Sequence, residues 1–396
     1  SFTEIEGLFP AEELRSWPLA IGAADLNADL LPELYYANDF GPDRLYFNRS
    51  TPGSLRFERV EGQRKMFTPR SKVLGQDSFK GMGIDFADIN ADGHLDFFVS
   101  NIAHDFALHE SHFFFVHDGS GRTVADGVAP YDDLGESYGV SRSSWGWDTR
   151  FGDFDNDGVP EALQATGFLK GDTDRWPELQ ELATGNDELL KIAGVWPRFK
   201  AGDDLSGHYT NPFYVRAADG RYYDIAADIG LGVEQVGRGI ATADVDADGD
   251  LDFVFANQWE PSFFYRNEAA PKNSFLGLSL RHPISPRSEV LVQPGSPNKD
   301  NLSSPAVGAT VRFVRPDGMP MVGQVDGGNG HSGVRSPELH FGLGSTDAMQ
   351  TLALEIRYRD RDGQVGILNL SLKPGWHTVL LPSLRGKPNG PGEEAR

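Results

Sequence analysis

One acidic pattern occurs four times in this chain: DLNADLLPEL from Asp25, DINADGHLDF from Asp88, DFDNDGVPEA from Asp153 and DVDADGDLDF from Asp244. Each copy follows a small residue (Ala24, Ala87, Gly152, Ala243) and runs into a strand-like segment, LYYAN, FFVSN, ALQAT or FVFAN. The starts lie 63, 65 and 91 residues apart, a spacing that suits one four-stranded sheet per repeat. The longer third interval holds RWPELQELATGNDELLKIAGVW at 175–196, whose apolar spacing and helix formers predict a helical insertion of one or two short helices. A second aromatic run recurs downstream as RLYFN, HFFFVHD, NPFYVR and SFFYRN. RFERV from Arg56 and YYDIA from Tyr222 then end their units, whereas the fourth unit lacks such a strand. FTEI, at Phe2 to Ile5, has the character of a displaced final strand. It either pairs with the fourth blade or ends an earlier blade outside this chain.

The chemistry of the repeat is that of a cation loop. Positions 1, 3 and 5 carry carboxylates or amides, position 7 offers a backbone carbonyl, and position 9 is Asp or Glu. Such a set converges hard oxygens on one point and suits Ca²⁺ better than Mg²⁺, which demands stricter octahedral geometry. The expected ligands are Asp25, Asn27, Asp29, Leu31 and Glu33, then Asp88, Asn90, Asp92, His94 and Asp96. Asp153, Asp155, Asp157, Val159 and Glu161 form the third set, and Asp244, Asp246, Asp248, Asp250 and Asp252 the fourth. Leu31, His94, Val159 and Asp250 enter through their carbonyls. Gly93, Gly158 and Gly249 permit the sharp turn at position 6, where loop 1 has Leu30 instead. An EF-hand is excluded, because position 12 is Tyr36, Val99, Gln164 or Phe255 rather than Glu, and the flanks read as strands.

These features resemble the FG-GAP/VCBS repeats of integrin-α-like propellers, over residues 1 to about 268. SSWGWDTRFGDFDNDG, from Ser143, is similar to the tryptophan-rich approach to a calcium loop in cartilage acidic protein-like chains, with Trp145 and Trp147 expected in blade core. Propellers of that kind usually have seven blades, and four are evident here. After Pro271 the acidic pattern stops. VGATVRFVRPDG predicts a hairpin turning at Asp317-Gly318. Together with Gly327 to Gly330 and His340 to Gly344 it resembles the ASPIC/UnbV domain over about 273–382, although Arg357-Tyr358-Arg359 stands where that family usually has Trp-Pro. The expected architecture is all-β: a propeller of four-stranded blades over 1–270, a small β-rich domain over 271–385, and a disordered tail over 386–396.

Composition narrows the function. A net charge of -22 opposes nucleic acid and anionic membranes, and the absence of cysteine excludes thiol and cysteine-metal chemistry. No apolar run is long enough to span a bilayer, so membrane insertion is not expected. The chain opens on Ser1, as a processed or partial product would. His104, His109, His112 and His117 suggest surface histidines on an insertion loop rather than a metal site, and Gly330-His331-Ser332-Gly333 lacks the spacing of a nucleophile elbow. Asn48, Asn301 and Asn369 begin N-x-S sequons. The expectation is a scaffold binding about four Ca²⁺, extracellular, at the cell surface or periplasmic, and mediating adhesion through a protein or carbohydrate ligand. Alternatives are a cyclase or lyase of a natural-product pathway, or a structural subunit whose partner chain, or missing N-terminal blades, completes the ring.

Overall fold

A computed structural model describes residues 3–13, 15–104, 110–119, 127–185, 192–268, 273–297 and 301–384. The boundary expected near 270, the tail 386–396 and His109 lie outside them.

Each repeat folds into an antiparallel sheet whose first strand leads directly into its acidic loop. Blade 1 is Pro18–Ala24, Glu33–Asn38, Arg44–Asn48 and Phe57–Gly62, extended by a short parallel pairing with Val128–Ala129. Blade 2 is Gly83–Ala87, Asp96–Ser100, Phe113–His117 and Tyr131–Asp133. Blade 3 is Gly146–Gly152, Glu161–Thr166, Phe213–Arg216 and Tyr222–Asp224. Blade 4 has three strands, Gly237–Ala243, Asp252–Asn257 and Phe263–Tyr265, as the missing third run implied. The insertion supplies one helix, Trp176–Gly185; residues 192–196 are not helical, and 186–191 are not described.

Packing face to face turns these sheets into a propeller, and strand periodicity explains which residues do it. Alternate side chains of a strand point to opposite faces. Phe97 and Val99 therefore join Tyr35, Leu45 and Ile84 between blades 1 and 2, while Phe98 joins Phe114, Phe151 and Tyr214 between blades 2 and 3. Leu163, Phe213, Ile240 and Phe253 form the next layer. A blade buried on both faces reads as a continuous apolar run, which is why FFVS and FFFVH show no alternation in sequence.

The end blades differ. Phe9 packs against Tyr36, Tyr46 and Phe57 on the far face of blade 1, with ring centroids 6.3, 4.9 and 5.6 Å away. Residues 3–7 form no strand and are exposed, so FTEI does not complete blade 4. Its charged, short sequence offers little to bury, and Phe9 anchors this part of the chain on blade 1 instead.

The C-terminal part is a two-sheet sandwich. One sheet holds Ser274–Pro283, flanked by the parallel strand Gly375–Leu380 and by Leu339–Gly344. The other orders Pro320–Gln324, Thr310–Val314, Leu352–Arg359 and Val365–Leu372, including the hairpin at Asp317-Gly318. Leu276, Leu278, Val311, Ile356, Tyr358 and Val379 fill the space between.

Between these sheets and the propeller, residues 326–335 enter the blade axis. Asp148, fully buried on the innermost strand of blade 3, organises them. Its carboxylate accepts backbone N–H groups from His331 and Gly333 of the inserted loop, both at 3.1 Å, and from Ile240 of blade 4 at 2.9 Å. Arg150, equally buried, lies 3.4 Å from Asp148 and donates to the carbonyls of Asn329 and Gly333. Arg335 pairs with the buried Asp85 of blade 2, and the Asn329 amide oxygen accepts from Ala23 N–H of blade 1 at 2.7 Å. One loop thus bonds to all four innermost strands. Close approach explains its glycines. A Cβ at Gly330 would collide with the Arg150 guanidinium, and one at Gly333 would fall on the Ile240 carbonyl.

Removing the Asp148 carboxylate would take the counter-ion from Arg150 and strand four backbone donors, those of Thr149, Ile240, His331 and Gly333, in the interior. Asp148→Ala should cost about 3–5 kcal/mol in urea unfolding. A loss below about 1 kcal/mol would show that the loop docks without it.

Candidate functional site

The four acidic loops share one internal geometry. The position 1 carboxylate accepts the N–H of position 6: Leu30 at 2.7 Å, Gly93 at 2.9 Å, Gly158 at 2.8 Å and Gly249 at 2.9 Å. Position 5 accepts from position 7, at 2.7 Å in Leu31, 2.9 Å in His94, 2.7 Å in Val159 and 3.1 Å in Asp250. Position 9 reaches back to position 2, with Glu33 bonding Leu26 N–H, Asp96 bonding Ile89, Glu161 bonding Phe154 and Asp252 bonding Val245. These bonds hold the acidic side chains together despite their repulsion. Asp153, Asp155 and Glu161 bring oxygens within 4.8 Å of one another, as do Asp244, Asp246 and Asp252, so two clusters could hold a metal ion. In loops 1 and 2 the third position is the amide of Asn27 or Asn90.

The backbone conformation was only half legible. Gly93, Gly158 and Gly249 have positive φ, as expected, and so does Leu30, at 64°. Position 4 is left-handed as well, at Ala28, Ala91, Asn156 and Ala247, a requirement that small residues there did not announce.

Burial makes these carboxylates poor anions. Desolvation raises Glu33 to about 8, Asp96 to about 8 and Asp153 to about 7, and it carries Glu161 well above its ordinary range. Neighbouring carboxylates add to each rise. Asp153 Oδ1 is buried with no hydrogen-bond partner. Such an environment fits a resident cation, which would restore the charged forms and use the orphaned oxygen.

The C-terminal domain grips these loops. Trp376 donates its indole N–H to Asp244 at 2.7 Å, His340 donates Nε2–H to the Gly249 carbonyl at 2.9 Å, and Gly342 N–H bonds Asp153 at 3.0 Å. Arg315 reaches the Asp157 carbonyl. Asn156 ties loop 3 to loop 4 through the Gly249 carbonyl, at 3.0 Å. On loop 1, Arg357 donates to the Ala28 carbonyl at 2.8 Å, and Arg359 to those of Leu30 at 2.9 Å and Asp29 at 3.0 Å. The Arg-Tyr-Arg departure thus has a structural use: it caps the one loop that lacks glycine.

Other candidates resolve differently. His112 is fully buried, with Asn101 N–H on Nδ1 at 2.9 Å and the Ser143 hydroxyl 2.6 Å from Nε2, and His104 bonds Tyr209. These two are internal rather than surface histidines, both buried among polar partners. Burial lowers His112 to about 3, so it stays neutral. Trp145 and Trp147 stack at 6.0 Å at the far end of the axis, against Phe168 and Trp176, rather than between blades. Asn48 of the first sequon is buried, its amide bonded to the Pro32 carbonyl. Asp85, Asp148, Arg150 and Arg335 were missed. The available signal was charge inside an innermost strand, in GIDFA and GWDTRFG.

Among the described residues no helix is long and apolar enough to cross a membrane. A family model described as an FG-GAP-like repeat matches residues 25–99, spanning the first two acidic loops. A second, described as ASPIC and UnbV, matches residues 298–382, which include the inserted loop and the arginines on loop 1. Both agree with the sequence resemblance. No curated protein matches the chain.

Leu30 tests how loop 1 balances strain against packing. Leu30→Gly would relieve about 1 kcal/mol of left-handed strain but remove a buried side chain worth about 2–5 kcal/mol. Packing should win, and urea titration should show a net loss of about 2 kcal/mol. A stabilised variant would mean that strain dominates this loop.

Proposed function

We propose that this chain is a calcium-stabilised β-propeller scaffold, extracellular, at the cell surface or periplasmic, which engages a protein or carbohydrate ligand. The carrying observation is the recurrence of one self-bonded loop geometry in all four repeats, with its buried carboxylates raised by burial and mutual repulsion. Oxygen donors alone, in a loop with a carbonyl at position 7, favour Ca²⁺ over softer transition metals. The ligands are the side chains at positions 1, 3, 5 and 9 and the carbonyls of Leu31, His94, Val159 and Asp250. When bound, Ca²⁺ supplies positive charge that lets the acidic loops stay ionised beneath the C-terminal domain. The residues do the rest: Trp376, His340 and Gly342 fix loops 3 and 4, and Arg357 and Arg359 fix loop 1.

Binding and folding are then linked, because the unfolded chain has no preformed site. With a dissociation constant of about 0.1 mM and about 1 mM free Ca²⁺, each site adds roughly 1.4 kcal/mol. Metal analysis after dialysis against about 1 mM Ca²⁺ should find about four ions per chain, and fewer than about two would overturn the reading. EGTA should lower the melting temperature by many degrees, with Asp155→Ala or Asp246→Ala reproducing part of that loss. A melting curve indifferent to EGTA, in protein shown to have lost its metal, would sink the structural role.

A further inference from the structure

The acidic-loop face and the C-terminal domain do not pack flush. They leave between them a partly open cavity of about 380 Å³ above the innermost strands, within the size range of small-molecule sites. Phe86, Leu95, Phe151 and Leu251 give it an apolar side from the propeller, and Met321 and Val322 face in from the C-terminal domain. Its polar lining is rich in acceptors. Glu338 keeps 23% of its side chain accessible, with the Ser279 hydroxyl at 3.2 Å and the Ser336 hydroxyl on its other oxygen. The Arg281 guanidinium stands 3.9 Å away, so the carboxylate is only loosely compensated. His340 also lines the cavity. Because its Nε2–H is given to Gly249, the neutral ring leaves Nδ1 as an acceptor, and that atom has no hydrogen-bond partner. Among the described residues Arg335 is the one arginine or lysine in the lining, and its charge is taken up by Asp85 and Asp326.

Asp88, Asp153 and Asp244, the first residues of loops 2 to 4, reach the same cavity. A divalent ion brings two charges to the four carboxylates of loop 3 or the five of loop 4, so a loaded loop stays net negative. A field of that sign selects a cationic ligand, and low-dielectric walls strengthen the selection. We infer that the cavity binds a small organic amine, its ammonium donating to Glu338 and its apolar body lying against Phe86, Phe151 and Leu251. The site lies between the two domains and stands independently of which metal fills the loops.

The test is calorimetric titration of the full chain, in buffer with physiological salt and about 1 mM Ca²⁺, with the five-carbon diamine cadaverine. Pentanediol and glutarate serve as neutral and anionic analogues of the same length. Saturable binding of one cadaverine per chain, roughly tenfold or more tighter than the diol and absent for glutarate, is the expected result. Glu338→Gln keeps the shape of the wall and should weaken cadaverine roughly tenfold. Met321→Trp, which fills the cavity from the other side, should abolish binding and serves if Glu338→Gln fails to fold. Diamine uptake that does not saturate, equal affinity for the diol, tighter binding of glutarate, or two folded variants that bind like the parent would each overturn the inference.

Discussion

The architecture depends on one buried carboxylate and the loop it captures. Four blades arranged around an axis leave the inner edges of their first strands facing each other across a gap, and the described residues show no pairing between blade 4 and blade 1. A gap of that kind exposes backbone donors and acceptors that must be satisfied. Asp148 answers part of this need by accepting from Ile240 of blade 4 and from His331 and Gly333 of the inserted loop, while Arg150 occupies carbonyls of that loop. Buried charge pairs seldom stabilise more than an apolar replacement would, yet they dictate geometry strictly, because any misalignment leaves an ion unpaired. Here that strictness sets the register of residues 326–335 along the axis, and through them the seat of the whole C-terminal sandwich.

Seen from that seat, the acidic loops occupy an unusual place. Acidic loops of a propeller can sit at a free surface, but three of these four are held by side chains from the second domain. The gripping groups are well matched to their targets. Carbonyl oxygens receive arginine and imidazole donors, and the Asp153 and Asp244 carboxylates receive the Gly342 N–H and the Trp376 indole. The positive donors approach the backbone of the loops, which leaves the carboxylates themselves directed at one another. Interface and acidic loops are therefore parts of a single electrostatic arrangement, and the cavity between them inherits its sign.

The sequence displayed what is local and concealed what is distant. The loops, the blades and the hairpin at Asp317-Gly318 were legible because turn chemistry and strand periodicity act within a dozen residues. Tyr131–Asp133, the outer strand of blade 2, was not, since three residues carry no period. The left-handed position 4 was hidden because Ala28, Ala91 and Ala247 adopt it without the glycine that would mark it. FTEI did not take the place on blade 4 that its composition offered: its described residues form no strand, and Phe9 packs on blade 1. The axial loop could not have been placed at all, because its glycines make sense only beside Arg150 and Ile240, far away in the chain.

That distance has a kinetic meaning. Ala23 meets Asn329 across 306 residues, and Arg359 meets Asp29 across 330. Closing such large loops is slow, and contacts of this span are made late in folding. During synthesis the first blade emerges, and can pair its own strands, long before the residues that complete its inner edge exist. The groups that fill the axis are thus among the last parts of the fold to be synthesised. A chain cut short before them would leave the inner edges of its blades unsatisfied, as sheet edges open to wrong partners.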